Sequence, residues 1–165
     1  EEISQRCREL GKQITEDYQD KEAPILVSVL KGSVMFLTEL AKRIELDVEL
    51  EFMCLSSYHG TESTGEVKIV MDLGKSIAGK NVLLIEDIVD TGLTLKEVKK
   101  LLVNKGASDV KIVSLLDKPS RRKVEVSADY VGFTIPDEFV VGYGLDFDQK
   151  YRNLPFVGIL KEEYQ

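Results

Sequence analysis

An apolar run leads into two acidic residues and then into a glycine turn in the segment Val82-Leu-Leu-Ile-Glu-Asp-Ile-Val-Asp-Thr-Gly-Leu-Thr94. The run from Val82 to Ile85 is typical of a strand buried on both faces, as strands of parallel sheets are. Apolar residues then recur at helical spacing from Leu95 to Leu102, and Gly106 is suited to closing the helix. Strand, turn and helix in this order are half of a βαβ unit.

The alternation of strands and helices continues on both sides of this segment. Helical spacing predicts one helix from Ile3 to about Tyr18 and another from Val34 to Ile44. Strands are predicted at residues 25–30, 48–56, 67–71, 110–116, 130–134 and 157–160. In the second of these, Val48, Leu50, Phe52 and Cys54 are expected on one face. The pattern favours an α/β fold, with a mainly parallel central sheet flanked by helices, in a single domain spanning residues 1–165.

Composition excludes several classes of protein. The 165 residues are 43% hydrophobic and 31% charged, which argues against disorder. The net charge is 22 − 29 = −7, so we expect no nucleic-acid partner. We expect no membrane partner either, because no apolar run reaches about 18 residues and the N-terminus has no signal-like apolar stretch. Cys7 and Cys54 fit no metal spacing and are interpreted as reduced thiols of a cytoplasmic protein.

The residues after the strand at 82–85 have the chemistry of a ribose-phosphate site. Ligands of open α/β sheets bind beyond the carboxyl ends of the strands, where Glu86 and Asp87 are expected. Carboxylates suit a ribose diol or a divalent cation. The turn Asp90-Thr-Gly-Leu-Thr94 opens a helix whose free N–H groups and dipole form an anion cradle. The alternative is that Glu86 and Asp87 are only a polar strand end and that Thr91 and Thr94 cap a helix. The two carboxylates that lead into the turn make this alternative less favoured.

The polar segment from Ser57 to Gly65 separates two predicted strands and contains two glycines. It is interpreted as the tip of a long, flexible hairpin. A hairpin tip of about nine residues usually has a function, such as closing over a site as a lid.

Taken together, these segments resemble the type I phosphoribosyltransferase family. The run Glu86-Asp-Ile-Val-Asp-Thr-Gly92 is similar to the family signature, with Glu in place of its first Asp, as in the bacterial hypoxanthine-guanine branch. The resemblance covers about Cys7 to Leu160. Further matching segments, in the same order, are Leu30-Lys-Gly-Ser33, Ser56-Ser-Tyr58, Asp117-Lys-Pro119 and Phe139-Val-Val-Gly-Tyr-Gly-Leu-Asp146, with Arg152 beyond.

The resemblance implies transfer of a 5-phosphoribosyl group from phosphoribosyl pyrophosphate to hypoxanthine or guanine, with Mg²⁺ as cofactor. By resemblance, Asp90 is the catalytic general base at the purine N7. The resemblance also assigns residues that bind phosphoribosyl pyrophosphate, the donor substrate, through its ribose and its 5-phosphate. These residues are Glu86, Asp87, Asp90, Thr91, Gly92, Leu93 and Thr94. The pyrophosphate is assigned to Lys31, Gly32 and Arg152, with a cis peptide between Leu30 and Lys31. The carboxylates assigned to the metal are Glu86, Asp87 and Asp146.

The purine site implied by the resemblance consists of Ile88, Lys118, Phe139, Val140 and Asp146. Lys118 matches a lysine that donates to the 6-oxo group, and an ammonium can only donate, so adenine is expected to be a poor substrate. Phe139 matches the ring that stacks on the base. Ser57 and Tyr58 begin the flexible loop.

The resemblance also implies a small hood, formed roughly by residues 1–20 and 136–165, and a homodimer or homotetramer. The basic run Arg121-Arg-Lys123 is expected to be a solvated turn or a subunit contact. Two alternatives stay open. One is a xanthine-preferring relative, and the other is a nucleotide-sensing regulator on the same fold.

Overall fold

The computed structural model describes residues 1–57 and 66–165. None of the described helices has the length and apolar character needed to span a membrane. The helices are α1 (Glu2–Asp17), α2 (Val34–Ala41) and α3 (Leu93–Asn104). The strands are β1 (Ile25–Leu30), β2 (Glu49–Ser57), β3 (Val67–Met71), β4 (Asn81–Val89), β5 (Asp109–Asp117), β6 (Tyr130–Thr134), β7 (Val140–Val141) and β8 (Gly158–Ile159).

Six strands form one sheet in the order β3-β2-β1-β4-β5-β6. All neighbours pair in parallel except β2 and β3, which are antiparallel. The predicted α/β fold with a mainly parallel sheet is therefore confirmed. Strands β7 and β8 form a separate antiparallel pair.

The apolar run of β4 is explained by a core on each side of the sheet. Leu83 and Ile85 belong to the cluster that also contains residues of α1 and α2. Val82 and Leu84 belong to the opposite cluster, with residues of α3. Because successive residues of a strand point to opposite faces, a strand covered on both sides must be apolar at every position.

One detail differs from the prediction, and a second was not predicted. Strand β4 continues to Val89, since its pairing with β5 extends that far, so Glu86 and Asp87 lie inside the strand rather than beyond its end. In β2, Leu50 is 45% exposed while Met53 is fully buried. Met53 packs into the α3-side core, whereas Val48 and Phe52 pack on the opposite side of the sheet, so the predicted alternation of this strand is retained.

The expected hood stays a prediction. Its proposed parts contain α1, which packs against α2 and β6, and the β7–β8 pair. The tip of the predicted hairpin, including Tyr58, lies outside the described residues, and β2 ends at Ser57.

Candidate functional site

The candidate site lies where the carboxyl ends of β1, β4 and β5 meet. Lys31 follows β1, Asp90 follows β4 and Lys118 follows β5. Adjacent parallel strands bring their ends to one edge of the sheet, so residues distant in sequence converge there. The backbone N–H of Lys118 donates to the carbonyl of Val89 at 2.9 Å, which fastens the end of β5 to the end of β4.

The turn after β4 has the form of an anion cradle. Gly92 precedes α3 with a left-handed φ of 85°, and a Cβ there would overlap the side chain of Val126, so the position requires glycine. The N-cap residue Gly92 has no side chain with which to cap α3. Apart from the Leu93 N–H, the backbone N–H groups of the first turn have no side-chain acceptor among the described residues, and such groups suit a phosphate. The hydroxyl of Thr91 accepts a hydrogen bond from the Leu93 N–H at 3.4 Å.

Glu86 and Asp87 are half-buried carboxylates with perturbed acidity. Burial raises the pKa of Glu86 well above its ordinary value of 4.5, and the charge of Asp87 raises it further. Burial also raises the pKa of Asp87, although the backbone N–H groups of Ile88 and Asp87 and the charge of Arg152 act in the opposite direction. The N–H of Ile88 donates to Asp87 Oδ1 at 2.7 Å. Within the described residues, the pair lacks enough positive charge to restore its ordinary acidity.

The turn after β1 packs directly against these carboxylates. The peptide between Leu30 and Lys31 is cis, as the resemblance implies. A Cβ on Gly32 would overlap Asp87 Oδ2, so only glycine allows the turn to lie this close to β4. Ser33 secures the turn: its Oγ lies 2.6 Å from the buried hydroxyl of Ser28 and donates to the Val29 carbonyl at 3.0 Å.

A loop after β7 covers the Lys31–Gly32 turn. The guanidinium of Arg152 donates to the Gly144 carbonyl at 2.6 Å and lies 3.5 Å from Asp146 Oδ1. Gln149 bridges the two basic residues, because its Oε1 accepts from Lys31 Nζ at 3.3 Å and from Arg152 Nη2 at 3.4 Å. The buried Nε of Arg152 has no hydrogen-bond partner among the described residues. An unfilled donor of this kind suits an anionic ligand.

The acidic residues at this point fit a metal ion that arrives with its ligand. Asp146 is close enough to Asp87 for its charge to raise the Asp87 pKa. Within residues 1–57 and 66–165, no three or more His, Cys, Asp and Glu side chains are grouped closely enough to hold a metal by themselves. The three carboxylates predicted for the metal, Glu86, Asp87 and Asp146, thus form no such cage. Mg²⁺ characteristically binds one or two carboxylates together with substrate phosphates, which this donor set allows.

Lys118 is a buried cation directly after β5, and it is one of the residues predicted for the purine site. Its side chain is 8% exposed, and its nearest described charge partner is Asp137, with Nζ 3.7 Å from Oδ1. This distance is too long for a hydrogen bond. Among the described residues, no acceptor is within hydrogen-bond distance of Nζ, so the ammonium has donors available for a ligand oxygen.

The other residues predicted for the purine site include members of β4 and β7 and the residue directly before β7. Phe139 is 42% exposed and meets Phe147 edge to face, with ring centroids 5.8 Å apart. Its exposed ring face fits stacking rather than a core role. Val140 lies in β7, and Ile88 packs against the core on the α1 side. An apolar cavity of about 770 Å³ nearby includes Val140, but none of the charged site residues lines it.

In the run Arg121-Arg-Lys123, Arg121 and Lys123 are exposed, as expected of a solvated turn, but the first two side chains also contact the site within the same chain. A subunit contact through this run stays a prediction. Arg121 Nε donates to Asp90 Oδ1 at 3.1 Å. Arg122 donates to the Asp90 carbonyl at 2.8 Å and to Asp117 Oδ1 at 2.6 Å. Sequence analysis missed these contacts and Gln149. The cluster of basic residues after Asp117 was a signal, but it did not specify partners.

Comparisons with known proteins agree with this geometry. The profile of the phosphoribosyl transferase domain family matches residues 1–148. The hypoxanthine-guanine phosphoribosyltransferase of Staphylococcus aureus (strain Mu50 / ATCC 700699) is 56% identical over 164 residues, which cover 99% of this chain and 91% of that protein. The enzyme of the same name from Staphylococcus epidermidis (strain ATCC 12228 / FDA PCI 1200) is also 56% identical over 164 residues, with the same coverage.

Solved structures give the same result. A hypoxanthine phosphoribosyltransferase from Staphylococcus aureus superposes with a TM-score of 0.95 at 55% identity, over 99% of this chain and 89% of that one. A hypoxanthine-guanine phosphoribosyltransferase from Bacillus anthracis, with HEPES in its active site, superposes with a TM-score of 0.92 at 45% identity, over 97% and 94%.

Proposed function

We infer that this chain, which belongs to the phosphoribosyltransferase family, is a purine-salvage transferase. It moves the 5-phosphoribosyl group from phosphoribosyl pyrophosphate to N9 of hypoxanthine or guanine, and gives IMP or GMP plus pyrophosphate. The observation that carries this conclusion is the 56% identity over 99% of the chain to a hypoxanthine-guanine phosphoribosyltransferase.

Lys118 accounts for the preference for 6-oxopurines in this proposal. A buried ammonium without a hydrogen-bond acceptor is costly unless a ligand supplies one. The 6-oxo oxygen of hypoxanthine or guanine supplies that acceptor, whereas the 6-amino group of adenine is a donor. Phe139 offers its exposed ring to either purine, so we assign it to affinity rather than to selectivity.

Asp90 is assigned as the general base at the purine N7. Its side chain is 40% exposed, so a base in the cleft can reach it. The 5-phosphate of the donor is assigned to the turn from Asp90 to Thr94, where the glycine N-cap and the start of the helix support anion binding. The half-buried Glu86 and Asp87 are assigned to the ribose hydroxyls. Their negative charge favours an oxocarbenium-like sugar in the transition state.

The leaving pyrophosphate is assigned to Lys31, Gly32 and Arg152. The unfilled Nε donor of Arg152 and its position beside Lys31 support this assignment. We propose Mg²⁺ as the cofactor, held by Asp87 and Asp146 together with the donor's phosphate oxygens. When bound, Mg²⁺ neutralises the charge that develops on the leaving group.

We further propose that the protein acts in the cytoplasm as a homodimer or homotetramer. The free thiols of Cys7 and Cys54 support a reducing compartment. Exposed apolar side chains on neighbouring strands, Leu50, Val70 and Met71, support self-association through the β2–β3 edge of the sheet. Light scattering coupled to size exclusion tests the oligomeric state, and a monomer would contradict this part of the proposal.

The function is tested by supplying hypoxanthine, guanine, xanthine, adenine and uracil separately with phosphoribosyl pyrophosphate, with and without Mg²⁺. We expect nucleotide formation with hypoxanthine and guanine, none with adenine or uracil, and loss of activity without metal. Faster turnover with xanthine would identify a xanthine-preferring enzyme. If folded protein that binds the donor transfers to no base, the enzyme assignment is wrong and the chain is tested as a regulator.

A further inference from the structure

Four charged side chains of alternating sign form a row along the purine end of the cleft. Lys118 Nζ lies 3.7 Å from Asp137 Oδ1, and Asp137 Oδ2 lies 3.7 Å from Arg121 Nη1. The row ends where Arg121 Nε donates to Asp90 Oδ1 at 3.1 Å. Its two ends are the groups assigned to the purine N7 and to the 6-oxo oxygen.

We propose that Arg121 is a positioning residue for purine transfer, which holds the Asp90 carboxylate at a fixed place relative to Lys118. The inference rests on the proposed function, in which Asp90 is the general base. Arg121 itself makes no contact with the purine in this proposal, and it acts through Asp90.

The geometry of the contact leaves Asp90 able to react. Arg121 occupies Oδ1 only, and no described residue donates a hydrogen bond to Oδ2. When a hydrogen bond fixes the position of Oδ1, the direction in which Oδ2 points is fixed as well. General-base catalysis needs this, because the base must lie within about 3 Å of the proton that it accepts.

Arg121 is in turn fixed to the segment that carries Lys118. Its backbone N–H donates to the Lys118 carbonyl at 3.1 Å, at the end of the single 3-10 turn Pro119–Arg121. The Asp137 carboxylate holds the guanidinium from the other side. The 3-10 turn and the Arg121 guanidinium, which is held between Asp137 and Asp90, therefore connect the two groups that are proposed to contact the purine.

The alternative is that Arg121 and Asp90 form an ordinary surface ion pair that contributes only to folding. Arg121 and Asp90 are 47% and 40% exposed, and pairs this exposed contribute little to stability. Loss of the Arg121 side chain should thus leave the fold intact. Any selective loss of turnover would then report on the position of Asp90.

The experiment compares Arg121→Met with Lys123→Met, which removes the same charge from an exposed residue two positions after the turn. We expect Arg121→Met to lower kcat/KM for hypoxanthine by about three- to tenfold. The KM for phosphoribosyl pyrophosphate and the Tm should stay at the values of the unchanged chain, and Lys123→Met should behave like the unchanged chain in all three measurements. Equal effects of the two variants would overturn the proposal.

A double-mutant cycle separates positioning from a general effect. If Arg121 acts through Asp90, Arg121→Met should cause no further loss in an Asp90→Asn background, measured by single-turnover IMP formation. A loss that is as large there as in the unchanged chain contradicts the inference while leaving the proposed function intact. If the unchanged chain itself forms no nucleotide, the proposed function fails and this inference fails with it.

Discussion

Gly32 lies directly against Asp87, with no room for a side chain between the turn after β1 and strand β4. On its other side, the Gly32 carbonyl occupies the place that a Cβ of Gly144 would need. The Arg152 guanidinium donates a hydrogen bond of 2.6 Å to the Gly144 carbonyl. The Gly32 turn thus packs against the Asp87 side chain on one side and against the Gly144 backbone on the other, and these three segments bear groups assigned to pyrophosphate and ribose.

This stacking predicts that Gly32→Ala impairs donor binding. The added methyl group must displace the Asp87 carboxylate or move the Lys31–Gly32 turn, and either change disturbs the donor site. We expect the KM for phosphoribosyl pyrophosphate to rise at least about tenfold, since a misplaced site group costs on the order of 1.4 kcal/mol or more. Steady-state kinetics at saturating hypoxanthine measure the KM for phosphoribosyl pyrophosphate.

Gly74→Ala is the matched control, because its Cβ would lie at an ordinary 3.5 Å from the nearest atom, a carboxylate oxygen of Glu51. It should leave the donor KM unchanged. Equal donor KM values for the two glycine variants would show that the close approach at Asp87 has no role in donor binding.

Lys118→Met is expected to weaken purine binding selectively. Methionine fills the space of the buried stem but offers no donor to the 6-oxo group. We expect KM for hypoxanthine to rise about 10- to 100-fold, the range for a lost hydrogen bond to a charged group, while donor affinity changes less than about twofold. Isothermal titration with each substrate separates the two, and Lys161→Met, at an exposed position, controls for loss of charge. Equal loss of both affinities would refute the role assigned to Lys118.

Asp90→Asn should lower turnover far more than donor affinity. The amide is nearly the same size and can still meet Arg121, but it cannot accept the N7 proton as a carboxylate does. General-base catalysis contributes about 10²- to 10⁴-fold, so we expect kcat to fall within that range. Rapid-quench measurement of IMP formation isolates the chemical step, and an unchanged rate would remove Asp90 as the base.

Much of the fold follows from local patterns in the sequence. The uninterrupted apolar run of β4 and the helical spacing from Leu95 onward reflect a sheet that is covered on both faces. The helix lies where it was predicted, and β4 contains the predicted run but continues to Val89. The glycine at position 92 could also be placed, since the turn into α3 needs a left-handed residue there. These features depend on neighbours within a few residues, which the sequence displays directly.

Contacts between distant segments were not predictable in this way. Arg121 meets Asp90 across 31 positions, and Lys31 meets Gln149 across 118. Nothing in the local pattern distinguishes an arginine that reaches another strand end from one that is solvated. The burial of Met53 rather than Leu50 has the same origin, because it depends on which helix covers that part of β2.

Glu86→Gln is expected to stabilise the free protein at neutral pH. Burial and the charge of Asp87 raise the pKa of Glu86 above its ordinary value of 4.5, so the folded state disfavours the ionised form. The folded chain therefore binds this proton more tightly than the unfolded chain. The free energy of unfolding falls as the pH rises from about 4.5 through the raised pKa. Above the raised pKa, the folded state bears the full cost of ionising Glu86.

A neutral glutamine removes that cost, and we expect the free energy of unfolding at pH 7.5 to increase by about 1 kcal/mol. The gain should shrink towards pH 4, where Glu86 is protonated in both states. Urea unfolding across this range, without Mg²⁺ or substrates, measures it. Glu39→Gln gives the opposite sign: hydrogen bonding to Arg43 lowers the pKa of Glu39, so its contribution is present above the ordinary value of 4.5 and is lost as pH falls. If Glu86→Gln destabilised the protein at pH 7.5, as is expected of Glu39→Gln, the ionised Glu86 would stabilise the fold through a favourable partner, and the prediction would be wrong.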